Sequence, residues 1–218
     1  MTSEAKRALV EAGHKVVVSD LYAMEFDPVS DRRNFTANAD HARLDQQNEE
    51  LHAHKTGGFA PDIHAEMDKL SWCDALVLQF PLWWLGPPAI LKGWIDRVLA
   101  LGFAYGGGRW FDGGVFKGKR AMCSVTIGGT SAAYSGQGIY ERPLKEVLHP
   151  LLHGTLAFIG FEVIEPFLVQ APQRQSEAER KASLLEYRRR ILDLNTAPVL
   201  PLLRSSEYEH LVRKPISD

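Results

Sequence analysis

Short β-branched runs alternate along this chain with stretches of helical periodicity, and that alternation restricts its fold more than any other feature. Four runs read as strands: Lys15-Val16-Val17-Val18-Ser19-Asp20-Leu21, Ala75-Leu76-Val77-Leu78-Gln79-Phe80, Ala121 to Thr126 and Phe161 to Val169. They are too short for core helices, and the first is apolar enough to be buried on both faces. Helical patterns lie between them. Ala5, Ala8, Leu9 and Ala12 share a face between Ser3 and Gly13, and Ile63, Met67 and Leu70 share one after Pro61-Asp62. A stripe of Ile90, Leu91, Trp94, Ile95, Val98 and Leu99 marks residues 88 to 100, and leucines from Leu144 to Leu156 mark a helix kinked at Pro150. Ser176 with Glu179 forms a capping box for a last helix through about Leu194, after which Pro198 and Pro201 open an irregular tail. Such alternation predicts an α/β chain, a doubly wound parallel sheet with about four visible strands and helices on both faces. The polar stretch from Ser30 to Gly58 exceeds most structureless connections, so it is either functional or partly helical.

Composition narrows the function classes. The 218 residues suffice for one domain spanning 1–218, its tail irregular from about 195. Lys+Arg 25 against Asp+Glu 27 leave a net charge of −2, which gives no electrostatic warrant for nucleic acid or a membrane surface. Cys73 and Cys123 stand alone in apolar stretches without CxxC spacing, the pattern of buried thiols in a reducing compartment. No apolar run approaches the roughly 18 residues of a membrane helix, and the N-terminus carries no signal-peptide core, so a cytoplasmic protein without a membrane span is expected. His52 and His54 are the nearest histidine pair, but no cysteine or carboxylate completes a ligand set, and no metal is expected. Neither GxSxG, GxxxxGK[ST] nor GxGxxG occurs, which removes the main support for acyl-enzyme, P-loop and Rossmann dinucleotide chemistry.

Two clusters follow two successive strands, on the sheet edge where open α/β folds hold ligands. Gln79-Phe80-Pro81-Leu82-Trp83-Trp84-Leu85-Gly86-Pro87-Pro88 offers aromatic surface on a proline-stiffened backbone, suited to a flat aromatic ligand; alternatively, Trp83 and Trp84 cover core. Thr126-Ile127-Gly128-Gly129-Thr130-Ser131-Ala132-Ala133-Tyr134 offers close backbone approach at the glycines, with hydroxyls for carbonyls and ring nitrogens. A third stretch, Gly102 to Trp110, is aromatic and glycine-rich and reads as a mobile lid, an interface loop or a plain connector.

These residues resemble the NAD(P)H:quinone oxidoreductase family, flavin reductases of flavodoxin-like fold. The likeness spans nearly the whole chain: Ser19 to Met24 with Asp27-Pro28, Pro61-Asp62-Ile63, Gln79-Phe80-Pro81-Leu82 through Trp84, Pro88 to Trp94, Phe103-Ala104-Tyr105, Gly128-Gly129, Tyr134 to Ile139, Gly160-Phe161 and Glu165-Pro166. The resemblance implies an FAD site, FMN being the lesser alternative, made by Pro81, Leu82, Trp83, Trp84, Leu85, Thr126, Ile127, Gly128, Gly129 and Tyr134. It implies NAD(P)H as electron donor, a quinone or related aromatic acceptor taking two electrons in ping-pong fashion, and a homodimer in which Tyr105 reaches the partner's site. Trp84 and Tyr105 would sandwich the substrate, with Trp94, Phe103 and Tyr105 at the subunit contact.

Two departures bear on catalysis. Tyr140 stands where the family usually has a histidine that works with the residue at Tyr134, and Gly107 replaces a second lid tyrosine at the substrate site. A third lies at the front: the family's first strand and a His-containing phosphate loop precede the helix at residues 3 to 12, whereas this sequence opens inside that helix. The resemblance therefore leads to the expectation that Met1 is internal to a longer natural protein. It also poses a question of hydrogen bonding, since in a sheet of order 2-1-3-4-5 the lost strand is central. Residues 15 to 21 and 75 to 80 must then pair directly or leave backbone groups unpaired. A non-catalytic ancillary subunit of the same fold is the rival reading.

Overall fold

The computed structural model describes residues 1–215. At its centre β1 (Ala75–Pro81) runs parallel to β2 (Arg120–Ile127), in register from Ala75 opposite Arg120 to Pro81 opposite Thr126. On the far side of β2 lie β3 (Glu162–Val163), opposite Arg120 and Ala121, and β4 (Phe167–Gln170), opposite Ser124 to Ile127, both parallel to it. The strand expected over 161 to 169 is therefore in place but broken at Glu165-Pro166, because proline brings no N–H to a ladder. As the middle strand, β2 is buried throughout its centre, and its side chains alternate between two layers. Ala121, Cys123, Val125 and Ile127 join a core with α3 (Pro61–Trp72) and α4 (Ala89–Val98), whereas Met122 meets Tyr187, Ile191 and Leu9, brought by α7 (Glu177–Leu192) and α1 (Thr2–Glu11). Helices thus cover both faces, as the alternation of elements predicts.

The helices follow their sequence signals closely. Ser176 and Glu179 form both arms of the capping box at the start of α7. The stretch from 30 to 58 proves partly helical: Asp45 caps α2 (Gln46–Thr56) by accepting the Asn48 N–H, and Gly57, at φ 71°, ends it in the left-handed conformation. Pro150 splits the leucine-rich segment into α5 (Leu144–Val147) and α6 (His149–Leu151), which runs on as π-helical turns at Leu152–Ala157. Trp94, expected at a subunit contact, is a core residue, 5% exposed, whose indole N–H donates to Glu66 Oε2 at 2.9 Å. Arg97 is equally internal; it donates to Asn34 Oδ1, the Asp27 carbonyl and Asp62 Oδ2 at 2.7 to 2.8 Å and so ties α4 to the segment over 27–34 and to the start of α3.

The main correction concerns residues 15 to 21. They form no strand, and Val17 and Val18 are 54% and 41% exposed instead of buried on both faces. A β-branched run becomes a strand only where a neighbour supplies hydrogen bonds, and among the described residues none does; β1 likewise pairs only on its β2 side. Direct pairing of the two runs does not occur. Side chains hold the segment: Leu21 packs on the main core, and Ser19 Oγ donates to Glu66 Oε2 at 2.7 Å while accepting from Lys69 Nζ at 3.1 Å. Exposure lets water reach this backbone, so the cost of about 1–3 kcal/mol for each buried orphan group does not apply to it.

Candidate active site

The two loops singled out in the sequence leave the carboxyl ends of adjacent parallel strands, β1 and β2, and a Leu82 N–H to Thr126 C=O bond of 2.8 Å ties them together. After β1, Trp83 and Gly86 exchange two backbone hydrogen bonds of 3.0 Å. They close a two-residue turn whose tip, Trp84 at φ 49° and Leu85 at φ 62°, lies wholly in the left-handed region. Asn-Gly or Gly-Gly usually fills such a turn; a bulky side chain there costs roughly 1–2 kcal/mol, and strain of this kind gathers at functional sites. Its effect is exposure. Trp84 is 102% exposed, Trp83 55% and Leu85 42%, so the tryptophan pair does not serve as core cover. Pro81 is also exposed and Leu82 half-buried at the foot of the turn.

After β2, Gly128 has open space where a Cβ would stand, and Gly129 lies against the Tyr134 ring, where a Cβ would meet Cε2 at 3.0 Å. A short 3-10 turn, Ser131–Tyr134, brings Tyr134 back over this loop. Its ring stacks on Tyr140 with centroids 4.6 Å apart and 19° between planes. The pair expected to act together is thus in contact. Burial, reinforced by the neighbouring Tyr140, pushes the Tyr134 phenol above its ordinary value, so at neutral pH it keeps its proton and is a hydrogen-bond donor.

Not every expected contact is offered by a side chain. Ile127 is 1% exposed and packed in the core, and its carbonyl accepts the Ala171 N–H at 2.6 Å, so it offers a ligand neither side chain nor carbonyl. Thr126 points to the other side of the sheet, where its side chain lines a cleft of about 220 Å³ with Met1, Val169, Gln175 and Arg180. Tyr105 and Gly107 stand apart on the loop after α4, and among the described residues no hydrogen bond or ring stack joins Tyr105 to Trp84 or Tyr134. Gly107 adopts φ 62°, a conformation that a tyrosine in its place would find strained. Sequence reasoning missed the polar side chains of α2 that touch this loop; the Asp45 cap and the Gly57 stop were the only signals of that helix.

Among the described residues no group of three or more His, Cys, Asp or Glu side chains gathers to hold a metal, and no helix is long and apolar enough to cross a membrane. What the site does present is a bare indole face, open backbone at Gly128 and a protonated phenol. These suit a planar conjugated ring with polar edges, and a flavin ring fits that description.

Residues 1–192 match a family model described as flavodoxin-like fold. Over 225 residues the chain is 37% identical to NAD(P)H dehydrogenase (quinone) 1 of Cavia porcellus, a match covering 100% of this chain and 82% of that protein. The chain belongs to the NAD(P)H dehydrogenase (quinone) family. It is 44% identical over 170 residues to NAD(P)H dehydrogenase (quinone) 1 of Rattus norvegicus, 78% of this chain, and that match spans 62% of the rat protein, less than two thirds of its length. A Klebsiella pneumoniae crystal structure described as a quinone reductase superposes with a TM-score of 0.94 at 36% identity, covering 98% of this chain and 87% of that one.

Proposed function

We propose that this family member is a flavin-dependent NAD(P)H:quinone oxidoreductase that transfers two electrons, as hydride, to quinones or related aromatic acceptors in ping-pong fashion. The observation that carries the reading is the strained turn that holds Trp84 free of the fold beside the glycine loop and a proton-bearing Tyr134. When bound, the flavin supplies the hydride-accepting and hydride-donating centre. The chain supplies position and charge. Pro81, Leu82, Trp84 and Leu85 would line the ring, backbone N–H groups at Gly128 and Gly129 would face its polar edge, and the Tyr134 hydroxyl would supply a hydrogen-bond donor to it. Tyr140 backs Tyr134 as a stacked ring in place of a titrating imidazole.

An indole exposed on all sides needs a second wall, which supports a homodimer whose partner contributes Tyr105. By family likeness the cofactor is FAD rather than FMN, and residues 1–218 act as one flavin-binding domain. The free thiols Cys73 and Cys123 support a reducing, cytoplasmic setting. The test is direct: purified protein, reconstituted with FAD, should absorb in the flavin bands and oxidise NAD(P)H beyond the one equivalent that reduces its flavin only when a quinone is supplied. A colourless protein that resists reconstitution would favour the ancillary-subunit reading.

A further inference from the structure

The loop carrying Tyr105 is braced, and α2 braces it at three points. Glu50, 5% exposed, accepts the Leu101 N–H on one carboxylate oxygen at 2.6 Å and the Gln46 amide on the other at 2.9 Å. The His54 ring lies over Gly102, where a Cβ would meet His54 Cγ and Cδ2 at 2.9 Å. Gln47 Nε2 donates to Tyr105 Oη at 3.3 Å. Positions 47, 50 and 54 follow the i, i+3, i+7 spacing of one helical stripe, so a single face fixes the root of the loop, its first glycine and its aromatic tip. Bonds within the loop finish the brace: Gly102 N–H to the Tyr105 carbonyl at 2.8 Å and Arg109 Nη2 to the Gly102 carbonyl at 2.9 Å. In this structure the stretch is tied to α2 and to itself at each of these points.

Glu50 is an unusual residue to find in that role. Burying a carboxylate is costly, and burial pushes this one above its ordinary value. What it gives in return is an acceptor for Leu101 N–H, which begins the loop. The direction of the Gln47 bond matters as well. An amide donating into the phenol oxygen leaves the phenol's own proton free to point outward, to a group that accepts it.

We propose that Gln47 and Glu50 are positioning residues for the electron acceptor: they hold Tyr105 as a directed hydroxyl donor and so favour planar aromatic acceptors that carry a carbonyl oxygen. The inference rests on the quinone-reductase reading and adds the part of the chain that sets acceptor preference. Neither residue acts on the reacting atoms.

The test combines a double-mutant cycle with an exchange measurement. In the FAD-loaded protein, Gln47→Ala should raise the KM for a 1,4-naphthoquinone about three- to tenfold, the factor of one neutral hydrogen bond, while kcat and flavin content hold. The same substitution in a Tyr105→Phe background should have no further effect, because the hydroxyl it orients is gone. In the flavin-free protein, Glu50→Ala should speed hydrogen exchange at the Leu101 amide and Glu50→Gln should restore its protection, with β2 amides unchanged as a control on folding. Additive effects of Gln47→Ala and Tyr105→Phe on KM, or Leu101 exchange indifferent to Glu50→Ala, overturn the proposal while quinone reduction by the parent protein leaves the functional reading intact. A parent protein that reduces no quinone overturns both.

Discussion

Replacing Trp84 with glycine separates the cost of the turn from its use. The indole is 102% exposed in the isolated chain, so its removal takes no packing from the fold. Its φ of 49° costs a non-glycine residue about 1–2 kcal/mol. Glycine relieves that strain but returns about 0.5–1 kcal/mol through the greater freedom of the unfolded chain. Stability should hold or rise by up to about 1.5 kcal/mol, equivalent at most to about 3–6 °C in Tm for a chain of this length. Ligand affinity moves the other way. One indole face is about half of the 150–250 Å² that an aromatic side chain buries, on the order of 100 Å². At about 25 cal/mol per Å² that area is worth about 2.5 kcal/mol, and stacking geometry adds about 0.5–1.5 kcal/mol. The sum, about 3–4 kcal/mol, corresponds to a loss on the order of 10²–10³ in FAD affinity, since 1.4 kcal/mol is tenfold. Thermal unfolding of the flavin-free protein and a fluorescence titration with FAD read the two effects separately. A clear fall in Tm would show that the indole supports the fold, and an unchanged FAD affinity would show that no ring stacks on it; either result refutes the reasoning.

Tyr134→Phe removes one hydroxyl and leaves the ring stacked on Tyr140, so it should slow flavin reduction in stopped-flow mixing while leaving the unfolding midpoint near that of the parent; an unchanged rate removes the phenol from the chemistry. Glu50 gives a pH test. Its folded value is raised, so the folded chain holds that proton more tightly than the unfolded one, and the stability this group contributes is present below the unfolded value and lost as pH rises through the folded value. Glu50→Gln should therefore gain on the parent in urea midpoint as pH rises above the ordinary carboxylate value of about 4, and parallel profiles would contradict the raised carboxyl. Amides of residues 16 to 20 should exchange much faster than those of β2, measured by mass spectrometry, since they lack ladder partners; protection equal to β2 would mean that the segment pairs in solution.

The fold was legible where local signals and tertiary context agree. Capping at Ser176 and Glu179, the stripe on α4 and the valine-leucine run of β1 each carry their own chemistry, and the element type follows from it. Residues 15 to 21 show the limit of that reasoning. Three consecutive valines state only that the segment can be a strand; whether it becomes one depends on a neighbour within hydrogen-bonding distance, which no property of Val16, Val17 or Val18 encodes. Pro166 marks the opposite case, a break in an otherwise apolar run that the sequence displayed and that the long-strand reading from 161 to 169 passed over.

At the candidate site, strand parity was available and sufficient for some residues. Once Val125 and Ile127 are taken as core, the period of two puts Thr126 on the opposite face, and the placement of its side chain beside Gln175 and Arg180 follows. Parity says nothing about the turn after β1, because Trp83-Trp84-Leu85-Gly86 lacks the Asn-Gly or Gly-Gly signal of a left-handed two-residue turn. A sequence that fills such a turn with Trp84 and Leu85 opposes the local rule, and the opposition is itself informative: Trp84 is fully exposed and makes no packing contact within the fold that offsets the strain, which is the pattern of strain kept at a functional position. The clamp on Tyr105 lies beyond both kinds of inference. Glu50 and Leu101 are 51 positions apart, and Gln47 and Tyr105 are 58 apart, so only the packing of α2 against the loop that follows α4 makes a polar stripe on a helix into the support for an aromatic arm.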